Sequence, residues 1–486
     1  MRRAAYRVPL LAGLALVLLP GALLAHGGLR SSTPVANARI ERAPTELVLT
    51  FNDPSPLTVT RVRLVGADSQ SVELGALSHV EGSSQRGVRV PIVGRLAAGT
   101  YAVEWQTASA DGHPVRGRFT FVVVAGSAAS AVSAADVGTL EPAVTPRGVK
   151  SPSVNSFDAA SPLYALIRFV TFLALITLLG VVTFSTGVMA AIARNADLVV
   201  PIAVRVAAAS RALRLAGMAT LALGVAALAR LAAQSYALFG AEAFDFRSVG
   251  AVLGGTLWGK GWILQMAGVG VAWGAVIALR RSRSYGWPLL TLATIALAMT
   301  PALSGHAASV TGKATLAVLA DTLHVVGAGG WIGTLLLVVV AGIPAAWSLS
   351  EGDRELAIAT LVRAFSPIAL VFAGVLATTG LLSAWLHLDT VAALWQSTYG
   401  RTLALKLAVL SGVAATGWYN WKRVTPRLHT AAGVTLLRRT ALAEVGIAVL
   451  VLAITAVLVA TPQPSEMDPM GVGGRESPKT SALIAE

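Results

Sequence analysis

Three residues in the first quarter of the chain could hold a metal ion between them: His26, Asp111 and His113. Asp111 and His113 are two apart in Ser109-Ala110-Asp111-Gly112-His113-Pro114, so in an extended or bulged segment both side chains can point to one side. His26 follows a stretch that reads as a secretory signal rather than an uncleaved anchor, with Arg2, Arg3 and Arg7, an apolar run from Pro9 to Leu24, and Ala25 at the cleavage point. Cleavage there would give His26 a free α-amino group beside its imidazole. Amine, imidazole and carboxylate make a hard-to-borderline set that suits a tetragonal Cu(II) ion. Residues 26–124 contain neither cysteine nor methionine, so Cu(I) has little to prefer there. Taken alone, Asp-Gly-His also fits a turn in which Asp111 caps the backbone and His113 is merely exposed. The second histidine at the expected mature terminus favours the metal.

A second set lies further on. Of the seven histidines, His306, His324 and His387 fall in or at the ends of long apolar runs. His324 is about 14 Å along a helix beginning at Thr315, and Asp321, three residues earlier, shares its face. Met299 precedes His306 by close to two helical turns and could add a soft ligand. Ionisable groups at such depth mark ion paths or buried partner pairs. Two readings therefore stand for Asp321 and His324: a step on a metal path, or a polar tie to each other or to a neighbouring Ser or Thr. His306 and His387 equally fit interfacial positions. His79 is expected in a surface loop and His429 in a solvated inner loop.

The elements that must position these groups follow from composition and period. With 55% hydrophobic and 13% charged residues, the chain falls in the membrane class. Cysteine is absent, which removes disulfides and thiolate metal sites. The net charge of +14 does not point to nucleic acid, because the basic residues sit mainly at the ends of apolar runs. From Glu46 to Val124 short alternating segments such as Leu47-Val48-Leu49-Thr50-Phe51 and Arg118-Phe119-Thr120-Phe121-Val122 predict a small all-β barrel or sandwich. The expected organisation is a signal peptide (1–25), a β domain (26–124), a flexible Ala/Ser/Gly/Pro linker (125–162), an all-α membrane domain (163–461) and an extracytoplasmic tail (462–486). About eight spans are expected, near 163–192, 212–239, 262–279, 286–303, 315–346, 364–386, 402–421 and 440–461. An outside β domain puts both termini outside, and the inner gaps then hold the basic clusters around Arg211, Arg281, Arg354 and Arg423. This topology sets His306 and His387 at the outer surface.

His26, Ser32-Thr33-Pro34, Leu49-Thr50-Phe51, Gly99-Thr100-Tyr101 with Trp105, and Ser109 through Gly117 together resemble the copper-resistance C (CopC) family over residues 26–124. That resemblance implies a Greek-key β-barrel that binds Cu(II) through His26, Asp111 and His113. Ser304-Gly305-His306, Asp321-Thr322-Leu323-His324 running to Gly329-Gly330-Trp331-Ile332-Gly333, and Tyr399-Gly400-Arg401 with Leu405-Lys406, Asn420 and Pro426 resemble the copper-resistance D (CopD) membrane family, best from about 304 to 428. The expected function is capture of Cu(II) outside the cytoplasmic membrane and transfer to the membrane domain for copper import or homeostasis. Its partners would be copper ions, membrane lipid and extracytoplasmic copper chaperones. No nucleotide motif or hydrolytic triad is seen, and the chain is read as a non-enzyme. The rival readings are a membrane-anchored copper-sequestering or resistance protein, and a haem-binding redox protein that would need paired histidines on facing helices.

Overall fold

The computed structural model describes residues 28–108, 112, 114–124, 161–195, 198–303, 314–388, 390 and 392–459. His26, Asp111, His113 and His306 lie outside the described residues, as do the expected signal, the tail and all but the last two residues of the linker.

Nine strands lie between 28 and 124: β1 (Leu29–Thr33), β2 (Arg39–Ile40), β3 (Glu46–Phe51), β4 (Arg61–Gly66), β5 (Ser71–Val72), β6 (Ser78–His79), β7 (Gly87–Pro91), β8 (Gly99–Ala108) and β9 (Pro114–Val123). They make two sheets, ordered β1-β3-β7-β6 and β2-β9-β8-β4-β5, and the chain passes repeatedly from one to the other in the Greek-key manner. In β3 every second residue, Leu47, Leu49 and Phe51, is buried. These meet Val88 and Val90 of β7 and Val103, Trp105, Phe121 and Val123 of the facing sheet in one core. Phe51 meets Trp105 edge-on at 5.1 Å, and Tyr101 stacks on Phe121 at 5.6 Å. Trp105 pairs across the ladder with Gly117, and its ring occupies the space that a side chain there would need. His79 is in β6 rather than in a loop, because its segment pairs with Val88 of β7.

Eight helices among the described residues are long and apolar enough to cross a membrane. They are α1 (Pro162–Arg194), α2 (Ile202–Phe239), α4 (Leu257–Arg280), α5 (Gly286–Leu303), α6 (Ala314–Ala346), α7 (Glu351–His387), α9 (Thr398–Arg427) and α10 (Ala431–Leu458). The count is the one expected from hydropathy. The second and sixth spans begin well before the apolar runs do, at Ile202 and Glu351, because charged residues such as Arg205 and Arg354 continue the helix beyond its apolar part. Two short helices, α3 (Phe246–Gly255) and α8 (Ala393–Gln396), were not anticipated. Side-chain caps fix several starts: Thr256, Ser397 and Thr430 each accept a hydrogen bond from the backbone N–H three residues on.

The chain divides into two compact units. One contains Phe172–Ala219 with the described part of Leu319–Glu486. Its α6 is held by glycines: a side chain at Gly333 would strike the backbone of α1 at Ile176 and Gly180, one at Gly329 would strike Leu179, and one at Gly330 would strike Phe372 of α7. Small residues let helices approach closely in the absence of a hydrophobic drive, and here they do so on two flanks of α6. At one end of this unit Arg354 and Arg438 lie over the ring of Trp347, at 4.9 and 5.6 Å, which brings the α6–α7 connection against the first half of α10. The other unit contains the β domain, the start of α1, the second half of α2, and α3 to α5.

Candidate metal centre

Two members of the first candidate set, Asp111 and His113, fall in sequence within the β8–β9 hairpin. Its last paired residues are Ala108 and Pro114, so Asp111 and His113 fall in the turn between them. Of that turn Gly112 is described; it is buried, with φ at +86°, a left-handed conformation that glycine adopts without strain.

The turn rests on helices of its own unit. Gln234 Nε2 of α2 donates to the Gly112 carbonyl. A Cβ at Gly112 would lie 2.7 Å from Cγ of Trp258 on α4. The last-turn carbonyls of a helix have no intrahelical partner, and here the β domain supplies them. Gln106 Nε2 donates to the Leu238 carbonyl and an Arg116 guanidinium nitrogen to that of Ala237, both at 2.7 Å. Arg116 also places positive charge at the negative end of the α2 dipole. Val59 and Ala108 lie outside the core between the sheets and are buried instead in a cluster with Leu238, Val252 and Trp258. Arg61 and Glu242 form an ion pair at 3.3 Å, but both side chains are more than half exposed, so it contributes no more than about 1 kcal/mol.

The second set is in the other unit. Asp321 and His324 share one face of α6 and meet an i, i+4 pair on α7: Ser383 Oγ donates to Asp321 Oδ1 at 3.0 Å, and His324 Nδ1 lies 3.2 Å from Thr379 Oγ1. The Thr379 hydroxyl already donates to the carbonyl of Val375 at 2.7 Å, so it accepts from His324. A ring proton on Nδ1 would serve Thr379 and leave Nε2 with its lone pair, the arrangement of a metal-binding imidazole. Gly380 makes room for the ring, since a Cβ there would come within 3.1 Å of His324 Cε1. The Lys406 ammonium, on α9, acts electrostatically on both Asp321 and His324.

His387 closes α7 one turn beyond Ser383. Met299 is half-buried on α5, in the unit that holds the β domain. Among the described residues no group of three or more His, Cys, Asp or Glu gathers at one point. Sequence reasoning did not select Lys406, Thr379, Ser383, Gln234 or Trp258 as site residues. For Lys406 a signal existed, since it is the one charged residue in the run 402–421.

Comparison with known proteins gives three family matches: the CopC domain over residues 29–124, the Copper resistance protein D-like N-terminal domain over 158–316, and Copper resistance protein D over 359–458. The D-type resemblance thus reaches further toward the N-terminus than the motifs near 304–428 indicated. "Copper transport protein CutJ" of Bacillus subtilis (strain 168) is 28% identical over 461 residues, 93% of this chain and 77% of that protein. "Copper resistance protein C" of Escherichia coli is 31% identical over 105 residues, 21% of this chain and 82% of that protein. The crystal structure of CopC from Methylosinus trichosporium OB3b aligns over 22% of this chain and all of its own, at 21% identity and a TM-score of 0.20.

Proposed function

Since the chain belongs to the CopC–CopD family of copper transport and resistance proteins, we propose that it captures Cu(II) on the outer side of the cytoplasmic membrane and carries copper inward through its helices. His26, with its free amine, Asp111 and His113 take the ion as N and O donors. His306 and His387 receive it at the outer ends of their spans, with Met299 as a soft donor nearby in sequence, and His324 with Asp321 is the deep station. Copper is cargo here, so the sites must release as well as bind.

The observation that supports this reading is the distance of 3.2 Å from His324 Nδ1 to a Thr379 hydroxyl that itself donates to the Val375 carbonyl. With the ring proton on Nδ1, toward Thr379, the Nε2 lone pair is available to a metal inside the membrane domain. A polar tie that served only to hold helices together would not require a spare donor atom. Lys406 balances the charge of Asp321 when no ion is present and is displaced electrostatically when one arrives. Extracytoplasmic chaperones would deliver the metal to the β domain, which the orientation with both termini outside keeps on their side.

The second reading, an anchored copper-sequestering protein, is favoured by the bonds from Asp321 and His324 to Ser383 and Thr379, which already satisfy part of the pair. Cellular copper content at a fixed external dose separates the two, measured for wild type, His26→Ala/His113→Ala and His324→Ala at matched protein levels. Import predicts accumulation above the empty-vector level, lost in both variants. Copper unchanged by His324→Ala would leave only the anchored binder.

A further inference from the structure

We propose that Glu444 is a proton-binding site of the membrane domain, held as the neutral acid against the Asn420 amide, and that copper entering the bundle displaces its proton. The exchange rests on the reading of the bundle as a copper path, which it deepens; the proton site itself does not. Glu444 lies about 20 Å along α10 from Ala431, close to the middle of the span, and is 4% exposed. Its carboxyl has one hydrogen-bond partner among the described residues: Asn420 Nδ2 of α9 donates to Oε2 at 3.1 Å. The other side of that amide, Asn420 Oδ1, is buried with no donor among the described residues. A carboxylate only accepts, whereas a carboxylic acid accepts through one oxygen and donates through the other, which matches both sides of a primary amide. Protonation of Glu444 therefore supplies the donor that Asn420 Oδ1 lacks.

Among the described residues no cation compensates a charge at this position. α6 carries no titratable side chain between His324 and its end at Ala346. α7 brings Arg363, α9 brings Tyr419, Lys422, Arg423 and Arg427, and α10 itself brings Arg438 and Arg439, all of them exposed. Lys406 is about 21 Å from Asn420 along α9. Apolar clusters close the carboxyl off on both sides. Ala441, about one turn before it, packs with Leu335 and Val339 of α6, and Ala448, about one turn after, packs with Val413 and Trp331. The backbone of α9 is shaped for the pair: a Cβ at Gly417 would lie 3.5 Å from Glu444 Oε1, and the winding becomes π-helical at Asn420, whose carbonyl accepts from the Thr425 hydroxyl at 3.0 Å. An uncompensated carboxylate is costly in such a place, and intramembrane acids mark proton or ion paths. Leu335 is about 16 Å beyond His324 along α6, so Glu444 is the next buried ionisable group that an inward-moving ion meets. A nearby cation favours the carboxylate over the acid. The Glu444 O–H bond then breaks, the proton passes to water, and the carboxylate balances the charge of the ion.

The test uses the full-length protein in proteoliposomes, with copper supplied as Cu(II) and, in a parallel series, as Cu(I) under a reductant. Infrared difference spectra at pH 7 read the C=O band of protonated carboxyls, since an ordinary glutamate is ionised there. Glu444→Gln keeps the pairing with Asn420 and removes the exchangeable proton, so it should fold as wild type does and lose one such band. Copper should deplete the same band in wild type. For one-to-one exchange, each unit of pH difference, acid inside, should raise the copper accumulation ratio about tenfold in wild type and leave Glu444→Gln unchanged. A protonated-carboxyl spectrum that Glu444→Gln leaves unaltered, a band that copper leaves intact, or wild-type accumulation that ignores the gradient would overturn the inference. A band lost in Glu444→Gln and depleted by copper, with no uptake by wild type, would instead overturn the transport reading beneath it.

Discussion

Thr379→Val tests the membrane site at the level of one hydrogen bond. The substitution keeps the side-chain shape and removes the hydroxyl that accepts from His324 Nδ1 at 3.2 Å. Interhelical hydrogen bonds in membranes contribute about 0.6 kcal/mol on average and up to about 1.7 kcal/mol. A loss near 1 kcal/mol lowers the weight of the Nε2-available orientation about fivefold. In proteoliposomes with matched protein, the initial rate of copper uptake should fall roughly three- to fivefold, with fold and expression unchanged. Thr379→Ser retains an acceptor and should stay within about twofold of wild type. If Thr379→Val transports at the wild-type rate, or if Thr379→Ser is as impaired as Thr379→Val, the hydroxyl does not set the tautomer and the argument from Nε2 fails.

Asp321→Asn and Lys406→Met should each lower the thermal stability of the purified protein, and the double substitution should lower it by less than the sum of the two, with a coupling of about 1–3 kcal/mol in a double-mutant cycle. Gly380→Ala should push the His324 ring by a few tenths of an ångström and slow uptake while changing stability by no more than about 1–3 kcal/mol, which uptake and melting curves on one preparation would separate. Gly117→Val drives a branched side chain into the Trp105 ring and should destabilise the β domain by about 1–3 kcal/mol, visible as faster hydrogen exchange in 99–123. Glu242→Gln should leave exchange at the β-domain contact within about 0.5 kcal/mol of wild type, since its ion pair with Arg61 is solvated, whereas Arg116→Ala exposes the end of α2 and should raise exchange there.

Period and hydropathy carried most of the architecture. Alternation in Leu47-Val48-Leu49-Thr50-Phe51 reports a strand with one buried face, and long apolar runs report spans, because each signal is local in the chain. The start of α7 at Glu351 was hidden because Asp353 and Arg354 lie in a helical extension that is polar for solvent reasons and helical for continuity. On the site, the spacing of Asp321 and His324 was enough to place them on one face. Their partners were not legible, since Thr379 and Ser383 meet them through antiparallel packing of α6 on α7, and nothing in either stretch names the other. The same holds for Gln106 and Gln234: an amide reads as ordinary surface polarity until the chain brings the last carbonyls of α2 or the Gly112 carbonyl opposite it.

The glycine contacts of α6 divide the labour within its unit. A helix pressed backbone to backbone against α1 at Gly333 and α7 at Gly327, and against the Phe372 ring at Gly330, cannot roll or slide without losing contacts on two sides at once. The most apolar 18-residue stretch of α6 is 67% buried, that of α9 only 11%. Asp321 and His324 therefore ride on a helix held on both flanks, while Lys406 comes from one that leaves most of its apolar stretch uncovered by protein.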